Sequence, residues 1–209
     1  MPSFDILIAF ATATAIFAYM PGPALLYTAA QTIARGRSAG FFAAFGIHIG
    51  CYVHVIAAAL GLSAVFELVP AAYTAVKIAG AIYLIWLGIS IIRSGKSDQD
   101  LPEVSKKTNI RAFFESATVE ILNPKVAIFF IAFLPQFVDP AAALPLWAQF
   151  LILGTIVNLS FSSADIICVL LASKVMKLVG QSNKVERTSR WLGGSLLIVL
   201  GAKLALFQR

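Results

Sequence analysis

The sequence predicts an all-α membrane protein with six transmembrane helices, arranged as two inverted repeats of three helices in which helices 1 and 4 are broken by proline. The first observation is composition: 59% of the residues are hydrophobic and 12% are charged, whereas about a quarter of a soluble domain is charged. The second is length, because about 20 apolar residues cross a bilayer. Six apolar stretches are long enough, lying roughly at 5–33, 40–66, 70–92, 114–138, 146–173 and 191–207.

These spans take up most of the 209 residues and predict one transmembrane transporter domain, 1–209. The longest polar interval, about 93–112, is too short to fold alone. We interpret it as a cytoplasmic loop between a first repeat of about 1–92 and a second of about 113–209. No GxxxxGK[ST] phosphate loop occurs, which argues against ATP hydrolysis. We expect no enzyme activity, no cofactor and no metal site.

The basic residues define an orientation in the bilayer. Twelve of the 16 follow spans 1, 3 and 5, whereas the connections after spans 2 and 4 carry Glu67 and Asp139. The positive-inside rule makes the basic connections cytoplasmic, so both termini are predicted outside. No basic residue precedes Arg35, so span 1 is expected to be retained. Because these residues are not clustered on a soluble face, the net charge of +6 does not indicate nucleic-acid binding. The twelve are Arg35, Arg37, Arg93, Lys96, Lys106, Lys107, Arg111, Lys174, Lys177, Lys184, Arg187 and Arg190.

The third observation is a pair of matched prolines. A shift of 103 residues carries Pro21 onto Pro124, and it carries span 2 onto most of span 5. Because each half has three spans, the second half enters the membrane from the opposite side. An inverted repeat of this kind is the plan of many secondary transporters.

Span 1 is predicted to break at Pro21, Gly22 and Pro23. The two prolines remove the hydrogen bonds to the carbonyls of Phe17 and Tyr19, and the glycine lets the backbone leave helical geometry. In hydrocarbon, such a break persists only where protein or a wet cavity satisfies the freed groups.

Span 4 repeats the break. Asn123 is predicted to be the N-cap and Pro124 the first residue of a new half-helix, which releases the carbonyl of Glu120. The amino ends of the two half-helices would converge near mid-membrane and form an anion site. The alternative for each proline is a simple kink, since proline is common in membrane helices.

Ionisable residues at bilayer depth are candidate functional residues, because burying them is costly. Lys125 lies too deep in span 4 to reach an interface easily, and we predict that it pairs with Asp165 at a similar depth in span 5. The alternative is a purely structural ion pair. Glu120 would receive an ammonium group or pass on a proton, or it is an interfacial residue. His54 is a candidate proton carrier, with a packing role as the alternative.

Small residues predict close helix packing in span 2. Gly46 and Gly50 form a GxxxG spacing, and Ala57 and Gly61 follow with the same interval between them. We interpret this face as a contact within the chain, with a homodimer contact as the alternative.

The two cysteines suggest an alternative function, that of a membrane thiol oxidoreductase. Cys51 and Cys168 differ in predicted depth by roughly 9 Å, whereas a disulfide needs Cα atoms within about 7 Å. Buried cysteine is therefore the preferred interpretation. A passive channel or facilitator for small zwitterions is a further alternative, which a protonophore would distinguish from a coupled carrier.

The ordered motifs resemble those of a known family. They are PGPALL in span 1, GFFAAFGIHIGCYVHVIAAALGL in span 2, KIAGAIYLIWLG in span 3 and LNPKVAIFFIAFLPQFV in span 4. Together they resemble the lysine exporter (LysE/RhtB) family, in its homoserine and threonine efflux branch. The resemblance implies export of amino acids by a small six-helix carrier of the bacterial inner membrane, driven by the proton gradient. The resemblance implies an acidic residue in the first half of span 5, about where this chain has Asn158. The nearest carboxylate in this chain is Asp165.

We therefore expect proton antiport of a small amino acid. Its carboxylate would meet the amides that follow Pro21 and Pro124, assisted by Lys125. Asp165 or Glu120 would face the ammonium group or exchange the proton. Homoserine, threonine, a branched amino acid, a cysteine precursor and a lactone all remain open as substrates.

Overall fold

The protein is helical throughout the part described by the computed structural model. That part is residues 4–93 and 108–181, together with 191, 194–195, 197–202 and 205–206. Within these ranges no strand occurs. The predicted all-α membrane class is confirmed.

Eight α-helices, one π-helical stretch and one 3-10 turn make up the described chain. In order they are α1 Phe4–Tyr19, α2 Pro23–Arg35, α3 Arg37–Ile56, the π stretch Ala57–Leu62, α4 Ser63–Leu68, α5 Pro70–Arg93, α6 Asn109–Ile121, α7 Pro124–Phe133, the 3-10 turn Leu134–Gln136 and α8 Leu146–Gln181.

Five of the predicted spans have helices of suitable length and apolarity. Three are continuous, namely Arg37–Leu68, Pro70–Arg93 and Leu146–Leu171. Two are bent pairs: α1 and α2 meet at 45°, and α6 and α7 meet at 46°. The sixth predicted span, 191–207, and most of the basic connections lie largely outside the described residues. The inverted symmetry between the two halves therefore stays a prediction.

Helix α3 packs against α2, α6 and α8, and glycine allows its close approach to α6. A Cβ on Gly46 would collide with the Phe113 carbonyl and the Ser116 hydroxyl, and one on Gly50 would lie 2.7 Å from the Ala117 carbonyl. The GxxxG face thus contacts a helix of the same chain.

Gly61 does not take part in this packing, contrary to the prediction. A Cβ there would meet no atom within 4 Å. The prediction extended the four-residue spacing of a regular α-helix, but Gly61 lies in the π stretch Ala57–Leu62. A π-helix has more residues per turn, so the face defined by Gly46 and Gly50 does not continue through it.

Aromatic side chains fill the contact between α1 and α7. Phe17 stacks on Phe129 with ring centroids 4.1 Å apart, and Phe10 stacks on Phe133 at 5.8 Å. Phe17 also contacts Phe161 of α8. This apolar cluster covers one side of the two helix breaks.

Candidate functional site

The break in span 1 leaves an uncapped helix start. Helix α1 ends at Tyr19, and Gly22 is extended, with φ −148° and ψ 177°. Pro23 then begins α2, and no side chain caps this end. The first amides of a helix have no acceptor within the helix. Those of Ala24 and Leu25 are therefore available to a ligand.

The break in span 4 is capped, as the sequence predicts. The Asn123 side chain accepts a hydrogen bond from the Lys125 amide at 3.1 Å, and Pro124 is the first residue of α7. The Asn123 amide group also donates to the Glu120 carboxylate at 3.1 Å. Asparagine suits this position because its oxygen replaces the missing helical acceptor while its NH₂ remains free to donate.

The Glu120 backbone carbonyl, which Pro124 releases from its helical hydrogen bond, is bonded by other groups. It accepts hydrogen bonds from the Asn123 amide at 3.0 Å and from His54 Nε2 at 2.9 Å. The histidine thus replaces the hydrogen bond that Pro124 cannot make. His54 is not among the residues that line the cavity described below.

Lys125 connects the two breaks. Its Nζ donates to the carbonyl of Met20 at 2.9 Å and lies 4.5 Å from the centroid of the Phe17 ring. A Cβ on Gly22 would lie 3.0 Å from this nitrogen, so glycine leaves room for the ammonium group. A cation is favourable here because Met20 follows the carboxyl end of α1, where the helix dipole is negative.

The predicted ion pair between Lys125 and Asp165 is not formed in this structure. The partner of Lys125 is the Met20 carbonyl, and Asp165 accepts a long hydrogen bond of 3.5 Å from the Thr28 hydroxyl. Depth along two helices was estimated from the sequence, but depth does not determine which neighbour a side chain faces. A backbone carbonyl exposed by a helix break is a nearer acceptor.

Both residues nevertheless line one cavity of about 40 Å³ at the meeting point of the breaks. Its polar groups are the Lys125 ammonium, the carboxylates of Glu120 and Asp165 and the amide of Asn123, and its walls include Phe17, Leu25, Ile47, Val126 and Phe161. This volume accommodates a few water molecules. In this conformation the cavity is therefore too small to hold an amino acid.

The predicted site residues separate into two groups. Gly22, Asn123, Lys125, Glu120 and Asp165 line the cavity. The prolines, which do not line it, contribute by breaking the helices: Pro21, Pro23 and Pro124.

The carboxylates are well shielded from the surroundings. Glu120 is 1% exposed and Asp165 is 4% exposed. Burying a charge is costly unless a partner compensates it. Glu120, Asp165 and Lys125 line the same cavity. The site thus offers a positive group and two acidic groups to a ligand that carries both charges.

Sequence reasoning missed two contributors to the site. Thr28 donates to Asp165, and it lies on the same side of α2 as Leu25, three residues away. The Met20 carbonyl binds Lys125. Only Thr28 could have been found from the sequence, because it is a hydroxyl residue within two turns of the break. A backbone carbonyl carries none.

Asn158 occupies a different environment from Asp165. Its Nδ2 donates to the His48 carbonyl at 3.1 Å, and it does not line the cavity. Among the described carboxylates of α8, Asp165 is therefore the one at the site.

The two cysteines do not form a disulfide. Cys51 and Cys168 are both buried and free. The thiol of Cys168 lies 3.9 Å from the Leu25 carbonyl. The geometry gives no support to a thiol oxidoreductase.

Comparison with known proteins gives a consistent assignment. The LysE type translocator family matches residues 15–208. A leucine efflux protein of Klebsiella pneumoniae is 30% identical over 195 residues, which cover 90% of this chain and 89% of that protein. A leucine efflux protein of Salmonella typhimurium is 27% identical over 190 residues, with coverage of 90% and 89%. An uncharacterized membrane protein of Pseudomonas aeruginosa is 33% identical over 145 residues, 67% of each chain. No solved structure matches the chain.

The family match includes both helix breaks and every residue of the cavity. Members of this family are translocators, which agrees with a multi-pass membrane protein and not with an enzyme. The chain belongs to the LysE type translocator family.

Proposed function

We propose that this chain is a secondary transporter that exports a small neutral amino acid from the cytoplasm in exchange for a proton. The observation that carries the proposal is the cavity between the two helix breaks. It combines one ammonium group, two buried carboxylates and an uncapped helix start. An amino acid is a zwitterion, and these groups match its two charges.

The substrate carboxylate would bind at the start of α2. Lys125 has three hydrogen-bond donors, one of which is directed at the Met20 carbonyl. Ala24 and Leu25, at the uncapped start of α2, line the same cavity, and helix amino ends favour anions. The substrate ammonium group would lie towards Glu120 and Asp165, one of which would take up the proton after release. His54 is retained as a candidate for proton transfer to Glu120.

The side chain of the substrate would contact the apolar wall formed by Phe17, Leu25, Ile47, Val126 and Phe161. Apolar walls favour leucine-like side chains, because burial of each CH₂ contributes about 0.8 kcal/mol. The names of the Klebsiella and Salmonella relatives also mention leucine. We therefore place leucine first, ahead of homoserine and threonine.

The orientation is proposed from the charges at the helix ends. Arg35 of α2 donates to Asn109 of α6, and Arg37 of α3 donates to the Leu170 carbonyl of α8. The ends of α2, α3 and α6, with their arginines, therefore lie together beside Leu170, near the end of the apolar span Leu146–Leu171. The positive-inside rule makes this the cytoplasmic end of a bacterial inner-membrane protein. Both termini would then lie outside. We also retain a homodimer as a proposal.

Counterflow in proteoliposomes tests the substrate and the site. Liposomes loaded with unlabelled leucine should accumulate labelled leucine, and homoserine and threonine should be tested in parallel. Lys125→Met should abolish the signal, because it removes the positive charge of the site.

Lys77→Met is the matched control for this experiment. Lys77 is also a lysine within a span, but its Nζ donates to the Tyr73 hydroxyl away from the cavity. Counterflow with none of the amino acids by a folded protein would refute the proposed function. Equal counterflow by Lys125→Met and wild type would refute the proposed site.

A further inference from the structure

Helices α2 and α6 are joined by a chain of polar side chains that the cavity does not use. The Tyr27 hydroxyl donates to the Glu115 carboxylate of α6 at 2.9 Å. The same hydroxyl accepts from Gln31 Nε2 at 2.8 Å, and the Gln31 oxygen accepts from Arg35 at 3.0 Å. Tyr27, Gln31 and Arg35 follow each other at four-residue spacing, so they share one face of α2.

The chain continues to the helix ends. Arg35 also donates to Asn109 at 3.1 Å, and Asn109 donates to Ser38 of α3 at 3.1 Å. Arg111 forms an ion pair with Glu115 at 3.0 Å. We call the group formed by Tyr27, Gln31, Arg35, Asn109 and Glu115 the polar latch.

The polar latch lies between the cavity and one end of the molecule. Both α2 and α6 reach from the helix breaks to that end. Leu25, which lines the cavity, is two residues before Tyr27, and Glu120 is five residues after Glu115. Gln31 is 2% exposed, so the latch is closed in this conformation.

The opposite side of the breaks is closed by different chemistry. There α1 and α7 meet through stacked phenylalanines, including Phe17 and Phe129. Separating them exposes apolar surface. Opening the polar latch instead exchanges hydrogen bonds within the protein for hydrogen bonds to water, which changes the free energy little per bond. The latch is therefore the side suited to frequent opening.

We propose that the polar latch is the gate through which substrate reaches the site from the end at which α2 finishes, and that Tyr27 is its central positioning residue. This inference rests on the proposed transport function. Tyr27 both donates and accepts within the latch, so a phenylalanine of the same shape would break two hydrogen bonds at once.

Thiol accessibility tests whether Tyr27 holds the latch closed. Cys168 is buried beside the Leu25 carbonyl, so movement of α2 should expose it. In a Cys51→Ala background, Tyr27→Phe should raise the labelling rate of Cys168 by a polar maleimide several-fold, as expected for the modest net contribution of the lost hydrogen bonds. Tyr19→Phe is the matched control, because the Tyr19 hydroxyl bonds Ser163 outside the latch. Equal labelling rates for both variants and wild type would overturn the proposal.

Cross-linking distinguishes a gate from a fixed contact. Tyr27→Cys and Glu115→Cys are combined in a chain with Cys51→Ala and Cys168→Ala, and a reducible bifunctional thiol reagent bridges them. Bridging should stop efflux of preloaded leucine, and reductant should restore it. In each of the two single-cysteine variants, the same reagent should not change the efflux rate, because it has no second cysteine to bridge. Unchanged efflux by the bridged protein would show that α2 and α6 need not separate.

The same experiments separate this inference from the proposed function. If wild-type protein moves no amino acid, the proposed function fails. The maleimide labelling then still decides whether Tyr27 holds α2 against α6.

Discussion

At the residue scale, the charge balance of the site depends on which carboxylate compensates Lys125. The ammonium group is bound to the Met20 carbonyl, and the Glu120 carboxylate lines the same cavity, where it accepts a hydrogen bond from Asn123. Asp165 lies across the same cavity and is held by Thr28. Glu120 lies five residues before Lys125 across the break, and we expect it to compensate the ammonium group more strongly than Asp165 does.

A double-mutant cycle measures this difference. Thermal unfolding in detergent should show stronger coupling between Lys125→Met and Glu120→Gln than between Lys125→Met and Asp165→Asn. Neighbouring charges couple by about 0.5–3 kcal/mol, and more distant pairs by less. Asn123→Ala, which removes the N-cap but no charge, serves as the control for loss of local structure. Stronger coupling of Lys125 to Asp165 than to Glu120 would contradict this expectation and support the ion pair predicted from the sequence.

The sequence predicted one local feature of the site well and one long-range feature badly. Asn123 was recognised because an N-cap depends on its immediate neighbours, here Pro124 and Lys125. The contact between Lys125 and Met20 joins residues 105 positions apart. It depends on how two bent helices pack, which a single sequence does not specify.

At the element scale, the two helix breaks generate the site. Each bent pair changes direction by about 45°, and the released backbone groups and Lys125 meet there. Proline marked both breaks in the sequence, with glycine beside it in span 1 and asparagine in span 4, because these residues act on the backbone directly. The π stretch Ala57–Leu62 contains a glycine but no proline, so the sequence did not reveal the change of helix type and the role of Gly61 was mispredicted.

Restoring a regular helix in span 1 should remove the substrate site. We expect Pro21→Ala combined with Pro23→Ala to insert and fold, because both helices remain apolar. Export should fall by roughly tenfold or more, as the amides of Ala24 and Leu25 would become part of a continuous helix. Initial efflux rates from proteoliposomes measure this. Pro70→Ala is the control, since Pro70 begins α5 without interrupting a span. Undiminished efflux by the double variant would contradict the account.

The glycines of span 2 provide a matched test of helix packing. Gly46→Ala places a methyl group against the Phe113 carbonyl, and such overpacking costs about 1–3 kcal/mol. Gly61→Ala places the same group in open space and should leave stability unchanged. Melting temperatures in detergent compare the two variants. Equal melting temperatures would show that α3 and α6 are not packed as described.

At the scale of the whole molecule, the two sides of the site are closed by a polar latch and by stacked aromatic rings. The apolar spans were evident from composition, because bilayer thickness sets their length. The packing of α3 against α2, α6 and α8 was not evident from the sequence, because many arrangements bury similar apolar faces. Because the cavity is too small for an amino acid in this conformation, transport requires the helices around it to move.

Proton exchange makes a quantitative prediction for the whole molecule. A neutral amino acid carries no net charge, so the membrane potential acts only through the proton that enters in exchange. One entering proton gains about 2.3 kcal/mol per 100 mV, which sustains a substrate gradient of roughly forty-fold at about 1.4 kcal/mol per tenfold. Because protons are taken up from outside, a lower external pH should increase this driving force.

The most direct measurement is efflux of preloaded leucine from proteoliposomes in which potential and external pH are varied independently. We predict that an inside-negative potential drives leucine out against its gradient, that external acidification speeds this efflux, and that Lys125→Met abolishes it while Lys77→Met does not. Saturable efflux that is indifferent to both potential and pH would contradict proton exchange and would make the protein a passive facilitator.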